Sequence, residues 1–151
     1  MTDSLLGRII VPIANETDTT ATCEALLPHL DETVELVNLL YVIEQRKGYI
    51  DATSPEALKQ EAQRWFTIAG GYLGSFDGFQ TELRAGPDIV DEITASAVEH
   101  DATAIVFRPT EKSGLSRLLS SDVRSRLPTE SPCPVIALNM NGDETLKEVM
   151  K

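Results

Sequence analysis

Apolar residues along this chain alternate between short β-branched runs and stretches with helical spacing. "RIIVPIA", Arg8 to Ala14, is an apolar run closed by Asn15 and Glu16, the pattern of a buried strand. "TDTTATCEALLPHL" then turns helical, with Ala21, Ala25, Leu26 and Leu30 on its inner side. Pro28 ends or kinks it, because proline lacks an N–H and crowds the preceding turn. "TVELVNLLYVI", Thr33 to Ile43, reads as a second strand, followed by a polar loop with Gly48. "SPEAL" opens a long helix, with Ser54 as N-cap and Pro55 in the first turn. Its stripe of Leu58, Ala62, Trp65, Ala69, Tyr72 and Phe76 alternates steps of four and three, the spacing of a core-facing helix side and not of a cofactor box.

"FQTELRA" alternates Phe79, Thr81, Leu83 and Ala85 and predicts an edge strand. Gly86-Pro87-Asp88 starts a helix in which Ile89, Ile93 and Ala97 are four apart. "ATAIVF", Ala102 to Phe107, is a fourth strand, and "CPVIALN", Cys133 to Asn139, a fifth. A loop and a short helix limited by Pro128 lie between them. The tail, 140–151, is polar, and the whole is expected to be one domain over 1–151 with a core at about 7–139. Strands alternating with helices predict βαβ units, a parallel sheet and helices on both faces. In such a sheet ligands sit beyond the carboxyl ends of the strands, where the strand order reverses. With order 3-2-1-4-5, the loops after strands one and four flank that crevice.

Composition narrows the function classes. The formal charge is −11, from 24 Asp and Glu against 13 Lys and Arg, which argues against general nucleic-acid binding by phosphate neutralisation. Scattered acids suit a halophilic-type surface in a salty cytoplasm, where they keep the chain hydrated and screening limits their repulsion. No run of about 18 apolar residues predicts membrane insertion, and the start, "MTDSLLGRIIVPIAN", lacks a basic, apolar leader; a cytoplasmic location is expected. Cys23 and Cys133 have no metal-ligand or disulfide spacing and read as buried thiols. His29 and His100 are isolated, and no nucleophile elbow, P-loop lysine or zinc-binding His-Glu-x-x-His occurs. The expectation is therefore no catalytic residue, no metal site and no enzymatic activity, a slow nucleotide hydrolase being the weakest alternative.

"RIIVPIAN", "GPDIVDEITASAVEHDATAIVF" and "SGLSRLL" followed by "SPCPVIAL", in this order and spacing, resemble the universal stress protein (UspA-like) family over about Gly7 to Asn139. The resemblance implies a single-domain, doubly wound five-stranded parallel sheet of order 3-2-1-4-5, adenine nucleotide alpha hydrolase-like. It also implies a homodimer paired through the last strand, here Pro134, Val135, Ile136, Ala137, Leu138 and Asn139. Exposed apolar strand edges need pairing or cover, which gives the dimer a physical motive.

Nucleotide-binding members resemble one another after strands one and four, and both places depart from their pattern here. The aspartate that would reach the adenosine end falls on Ala14. The Gly-x2-Gly-x9-Gly-Ser/Thr positions fall on Arg108, Glu111, Ser121 and Asp122. Glycines allow positive φ and close backbone approach to phosphate, which side chains obstruct, and Pro109 removes a donor. Asp122, in the first turn of a helix capped by Ser120 or Ser121, fills the anion position with a carboxylate and repels phosphate. The expected cofactor is none, with ATP and AMP disfavoured. The degenerate crevice comprises Ala14, Val42, Arg108, Glu111, Lys112, Ser113, Gly114, Ser121 and Asp122. Arg108, Lys112, Arg117, Arg124 and Arg126 form a basic cluster that reads chiefly as solvated partners for the acids. The sharper alternative has Arg108 and Lys112 receive a nucleotide or another anion in place of the glycines. The leading expectation is a regulatory dimer that acts through an unknown protein partner.

Overall fold

The computed structural model describes residues 7–13, 16–44, 55–107, 121–138 and 146–148. Five parallel strands follow the expected order: β1 (Arg8–Ile13), β2 (Leu36–Glu44), β3 (Phe79–Gly86), β4 (Ala104–Phe107) and β5 (Val135–Leu138). Four helices intervene: α1 (Glu16–Leu26), α2 (Pro55–Leu73), α3 (Ile89–Glu99) and α4 (Ser121–Glu130). The tail departs from the reading of a polar appendage, because β6 (Leu146–Glu148) adds to the outer side of β5, antiparallel, and completes the order β3-β2-β1-β4-β5-β6. The strand expected to pair with a second copy is therefore not a free edge in the single chain. Asn139 lies outside the described residues, as do the side chains of Ala137 and Leu138.

The strands divide their side chains between two cores with period two, as pleating requires. Ile9, Val11 and Ile13 of β1, Val37 and Leu39 of β2, and Ala104 and Val106 of β4 join Cys23 and Leu26 of α1 and the apolar side of α2. Ile10, Leu40, Ile105 and Val135 face the other way, against Ile89, Val90, Ile93 and Ala97 of α3 and Leu127 of α4. Burial on both faces is why β1 reads as an unbroken apolar run; each fully buried Ile or Leu contributes about 1.5–3 kcal/mol. The α2 stripe is core packing: Ala62, Trp65 and Ala69 are buried, and Trp65 meets Tyr41 edge-on at 4.9 Å. The helix ends at Leu73, so Phe76 packs against this core from beyond it.

Element boundaries differ from expectation where local hydrogen bonds intervene. Thr33 turns instead of starting β2, because Asp31 Oδ1 accepts from its N–H at 2.9 Å. Pro28 lies in a 3-10 turn, Leu27–His29, that closes α1. At the end of α3, Ala102 N–H donates to Ala97 O and Asp101 N–H to Val98 O, a Schellman closure. This places Asp101 in the left-handed region at φ 53 and delays β4 to Ala104. Pro128 does not end α4, which runs on to Glu130. The hydrogen bond that proline removes belongs to the last turn, and Ser131 N–H closes that end on Leu127 O at 2.9 Å.

A polar network ties edge strand β3 to α3. Asn38, fully buried in β2, donates to Glu82 Oε1 at 2.7 Å, and Ser96 Oγ donates to the same oxygen at 2.7 Å. Gln80 Nε2 donates back to Asn38 Oδ1 at 3.2 Å. Arg84 then gathers three carboxylates: Glu82 at 2.8 Å, Glu92 at 2.9 Å and Glu99 at 3.1 Å. Gly86 gives Glu92 its room, since a Cβ there would collide with the Glu92 carboxylate. Burial pushes the Glu82 carboxyl up, yet the Ser96, Asn38 and Arg84 donors outweigh it and hold the group below its ordinary value. Arg84 loses solvation too, but its three partners raise it further above the normal guanidinium range. Replacing Arg84 leaves three crowded carboxylates without a cation, so Arg84→Ala is expected to cost about 2–3 kcal/mol in urea unfolding. Concentrated KCl reduces that loss by screening; a loss near zero at low salt would mean that the network has no structural weight.

Candidate functional site

The sheet changes its direction of winding at β1. From β1 the chain passes outward to β2 and β3, then returns to pair β4 on the other side of β1, with Ile9 beside Ala104 and Ile10 beside Ile105. Parallel pairing brings the carboxyl ends of β1, at Ile13, and β4, at Phe107, to the same edge of the sheet. In an open α/β sheet this switch point is where a ligand is received. Val42 lies towards the same end of β2 and packs, partly buried, with Phe107 against the core under α3 and α4.

Of the residues expected to line it, Ala14, Arg108, Glu111, Lys112, Ser113 and Gly114 lie outside the described residues. Ser121 and Asp122 are the first two residues of α4, so Asp122 falls in its first turn as expected; their side chains are not described. Within the basic cluster, Arg126 has a described side chain, and it is engaged. It donates to Asp88 Oδ2 at 2.8 Å and to Glu130 Oε2 at 2.8 Å, and lies 3.7 Å from Asp91 Oδ1. Asp88 is also the N-cap of α3, accepting from Asp91 N–H at 3.0 Å. The Arg126 hydrogen bond, with the Asp91 cap behind it, draws the Asp88 carboxyl below its ordinary value. Arg126 therefore fastens α4 to the start of α3, as the solvated-partner reading anticipated for this member of the cluster.

The sequence reading missed a second cluster, since its residues are dispersed and carry no motif. Glu82, Glu99 and His100 bring ligand-type atoms within 4.8 Å of one another, with His100 Nε2 at 3.4 Å from Glu82 Oε1. The Arg84 guanidinium, however, bonds both carboxylates, and Glu82 Oε1 already accepts from Asn38 and Ser96. A cation position occupied by arginine and a saturated acceptor make this an ion-pair network and not a metal centre. His100 serves the fold by another route: its carbonyl, at the C-terminal end of α3, accepts from Arg8 Nε at 2.8 Å. Cys23 is buried as expected, whereas Cys133 is half-buried, its thiol pushed up by burial. Among the described residues no helix is long and apolar enough to cross a membrane.

Known proteins share this architecture. The hypothetical protein MJ0577 superposes with a TM-score of 0.69 at 20% identity, over 89% of this chain and 96% of its own. The universal stress protein of Archaeoglobus fulgidus, solved in complex with dAMP, gives 0.63 at 18% identity over 90% of this chain and 100% of its own. A universal stress protein in complex with cAMP gives 0.56 at 15%, over 89% and 98%. At these identities the likeness is one of fold. No curated protein matches the chain in sequence. The model of the universal stress protein family, however, matches residues 6–139, nearly the whole chain, and the protein belongs to that family.

Proposed function

We propose that this protein is a non-enzymatic stress-response or regulatory module of the cytoplasm that does not hold ATP in the manner of its nucleotide-binding relatives. It works without a cofactor, as a homodimer, through contacts with a protein partner. One observation carries the reading: the positions that would grip a nucleotide after β1 and β4 are Ala14, Arg108, Glu111, Ser121 and Asp122. Where a phosphate needs backbone N–H groups at close range, three of these put large or charged side chains and a fourth a hydroxymethyl group. Asp122 and Glu111 bring two negative charges to a place whose ligand is an anion, and a helix start already next to a carboxylate has less to offer a phosphate. The catalytic side is equally thin, since no base accompanies Ser120 and Ser121 in the sequence.

The relatives solved with dAMP and with cAMP favour a second reading, in which Arg108 and Lys112 receive a nucleotide or another anion in a changed pose. Arginine suits planar, bidentate recognition of phosphate or carboxylate. Titration calorimetry with ATP and Mg²⁺ in concentrated KCl, after analysis of any co-purified small molecule, separates the two. The first reading expects no heat of binding and no co-purified nucleotide; stoichiometric binding would overturn it. Binding that disappears in Arg108→Ala would establish the second, and binding indifferent to that change would remove it. Combining Ala14→Asp, Ser121→Gly and Asp122→Ser is expected to restore measurable ATP affinity. If it stays absent, the obstruction lies in the shape of the crevice beyond these positions.

A further inference from the structure

The chain contains one Asp-Gly pair, Asp77-Gly78, and the fold sets it where α2 gives way to β3. Phe79 N–H donates to Phe76 O at 3.1 Å, which makes Asp77 and Gly78 the two central residues of a β-turn. A larger residue has no room at Gly78, because a Cβ there would collide with the Glu35 carbonyl oxygen. The close approach serves the sheet: Gly78 O accepts from Val37 N–H at 2.9 Å, beside the first β2–β3 pair, Val37 with Phe79. Packing therefore dictates glycine here, and an aspartate precedes it.

Asp77 is exposed, and among the described residues nothing bonds its carboxylate. Both polar groups of the peptide that joins it to Gly78, the Asp77 carbonyl and the Gly78 N–H, are also without a hydrogen bond among those residues. Type I and type II turns differ chiefly by a flip of this central peptide, and a glycine in the second position leaves the flip sterically open. The Gly78 nitrogen is thus free to swing past the Asp77 side chain while the bond from Phe79 to Phe76 keeps the turn closed.

We propose that Asp77 is a site of spontaneous covalent modification, isomerising to isoaspartate through a cyclic imide with Gly78. The Gly78 nitrogen attacks Cγ of the protonated Asp77 carboxyl, and its proton leaves with the carboxyl hydroxyl as water. Water then adds to the main-chain carbonyl carbon of Asp77 and breaks its bond to the Gly78 nitrogen, which stays bonded to Cγ. One water leaves and one returns, so mass and charge are conserved. The main chain becomes one atom longer inside the turn, which carries Gly78 O away from Val37 N–H and loosens the start of the β2–β3 pairing. No enzyme, cofactor or nucleotide takes part, so the modification is independent of the function proposed above.

The full-length protein, aged in near-neutral buffer beside a synthetic peptide of sequence GSFDGFQ, tests this. Isoaspartate is quantified by proteolytic mapping with electron-transfer fragmentation, which distinguishes the two isomers. Mapping also keeps the product apart from Asn141-Gly142, whose conversion changes the mass. Asp77 in the folded protein is expected to convert at a rate within about tenfold of the peptide's. A slower rate would mean that the turn protects the pair, and would overturn the proposal. Asp77→Glu keeps the charge but would need a six-membered ring, and is expected to abolish the product. Converted protein, separated by ion exchange, is expected to show at least tenfold faster hydrogen exchange at the Val37 amide than Asp77→Glu aged alongside. Equal exchange would overturn the loosening of β2 from β3.

Discussion

Everything in this fold hangs on β1 being sandwiched. It is paired with β2 along its whole length and with β4 on its other side, and covered above and below by helices whose apolar residues meet its alternate side chains. Beyond Arg8, a strand so enclosed has no solvent-facing side chain positions, which is why Ile9, Ile10 and Val11 are all fully buried. Its lower end is fixed by hydrogen bonds from Arg8 N–H to Thr103 Oγ1 and from Arg8 Nε to the His100 carbonyl. Being central, β1 is also where the winding reverses, with β2 paired on one side and β4 on the other. The position of the switch point is thus a consequence of core packing, whatever the residues beside it do chemically.

Among the described residues, two arginines each gather three carboxylates. Arg84 joins three carboxylates between β3 and α3, and Arg126 joins Asp88, Asp91 and Glu130 between α3 and α4. In a chain with 24 acids and 13 Lys and Arg, each guanidinium serves several acids at once, for which its planar fork of five donors is well suited. The solvated-partner reading of the basic cluster thereby gains a concrete instance in Arg126. The same arrangement disposes of the nearest thing to a metal site among the described residues, because arginine is already the cation there.

A family frame and a family chemistry are separable things. Burial, strand order and the switch point depend on apolar pattern, and the family model matches residues 6–139 of this chain. Phosphate binding depends on a few backbone-exposing positions at the strand ends, and substitutions there leave the core untouched. A fold can therefore persist while the site built on it changes its work.

The sequence by itself determined the strands and helices, the two-sided burial of β1 and the α2 stripe, because period two and period 3.6 are imposed on each residue by local geometry. Tertiary structure decided what depends on distance between remote positions: Asn38, Glu82, Arg84, Ser96 and His100 form a network that no spacing announces. It also decided that Phe76 packs from beyond its helix and that Pro128 sits inside one. Most of all it turned a tail that reads as polar into β6. "LKE" carries too few apolar positions to declare itself a strand, and only the unpaired backbone edge of β5 makes it one.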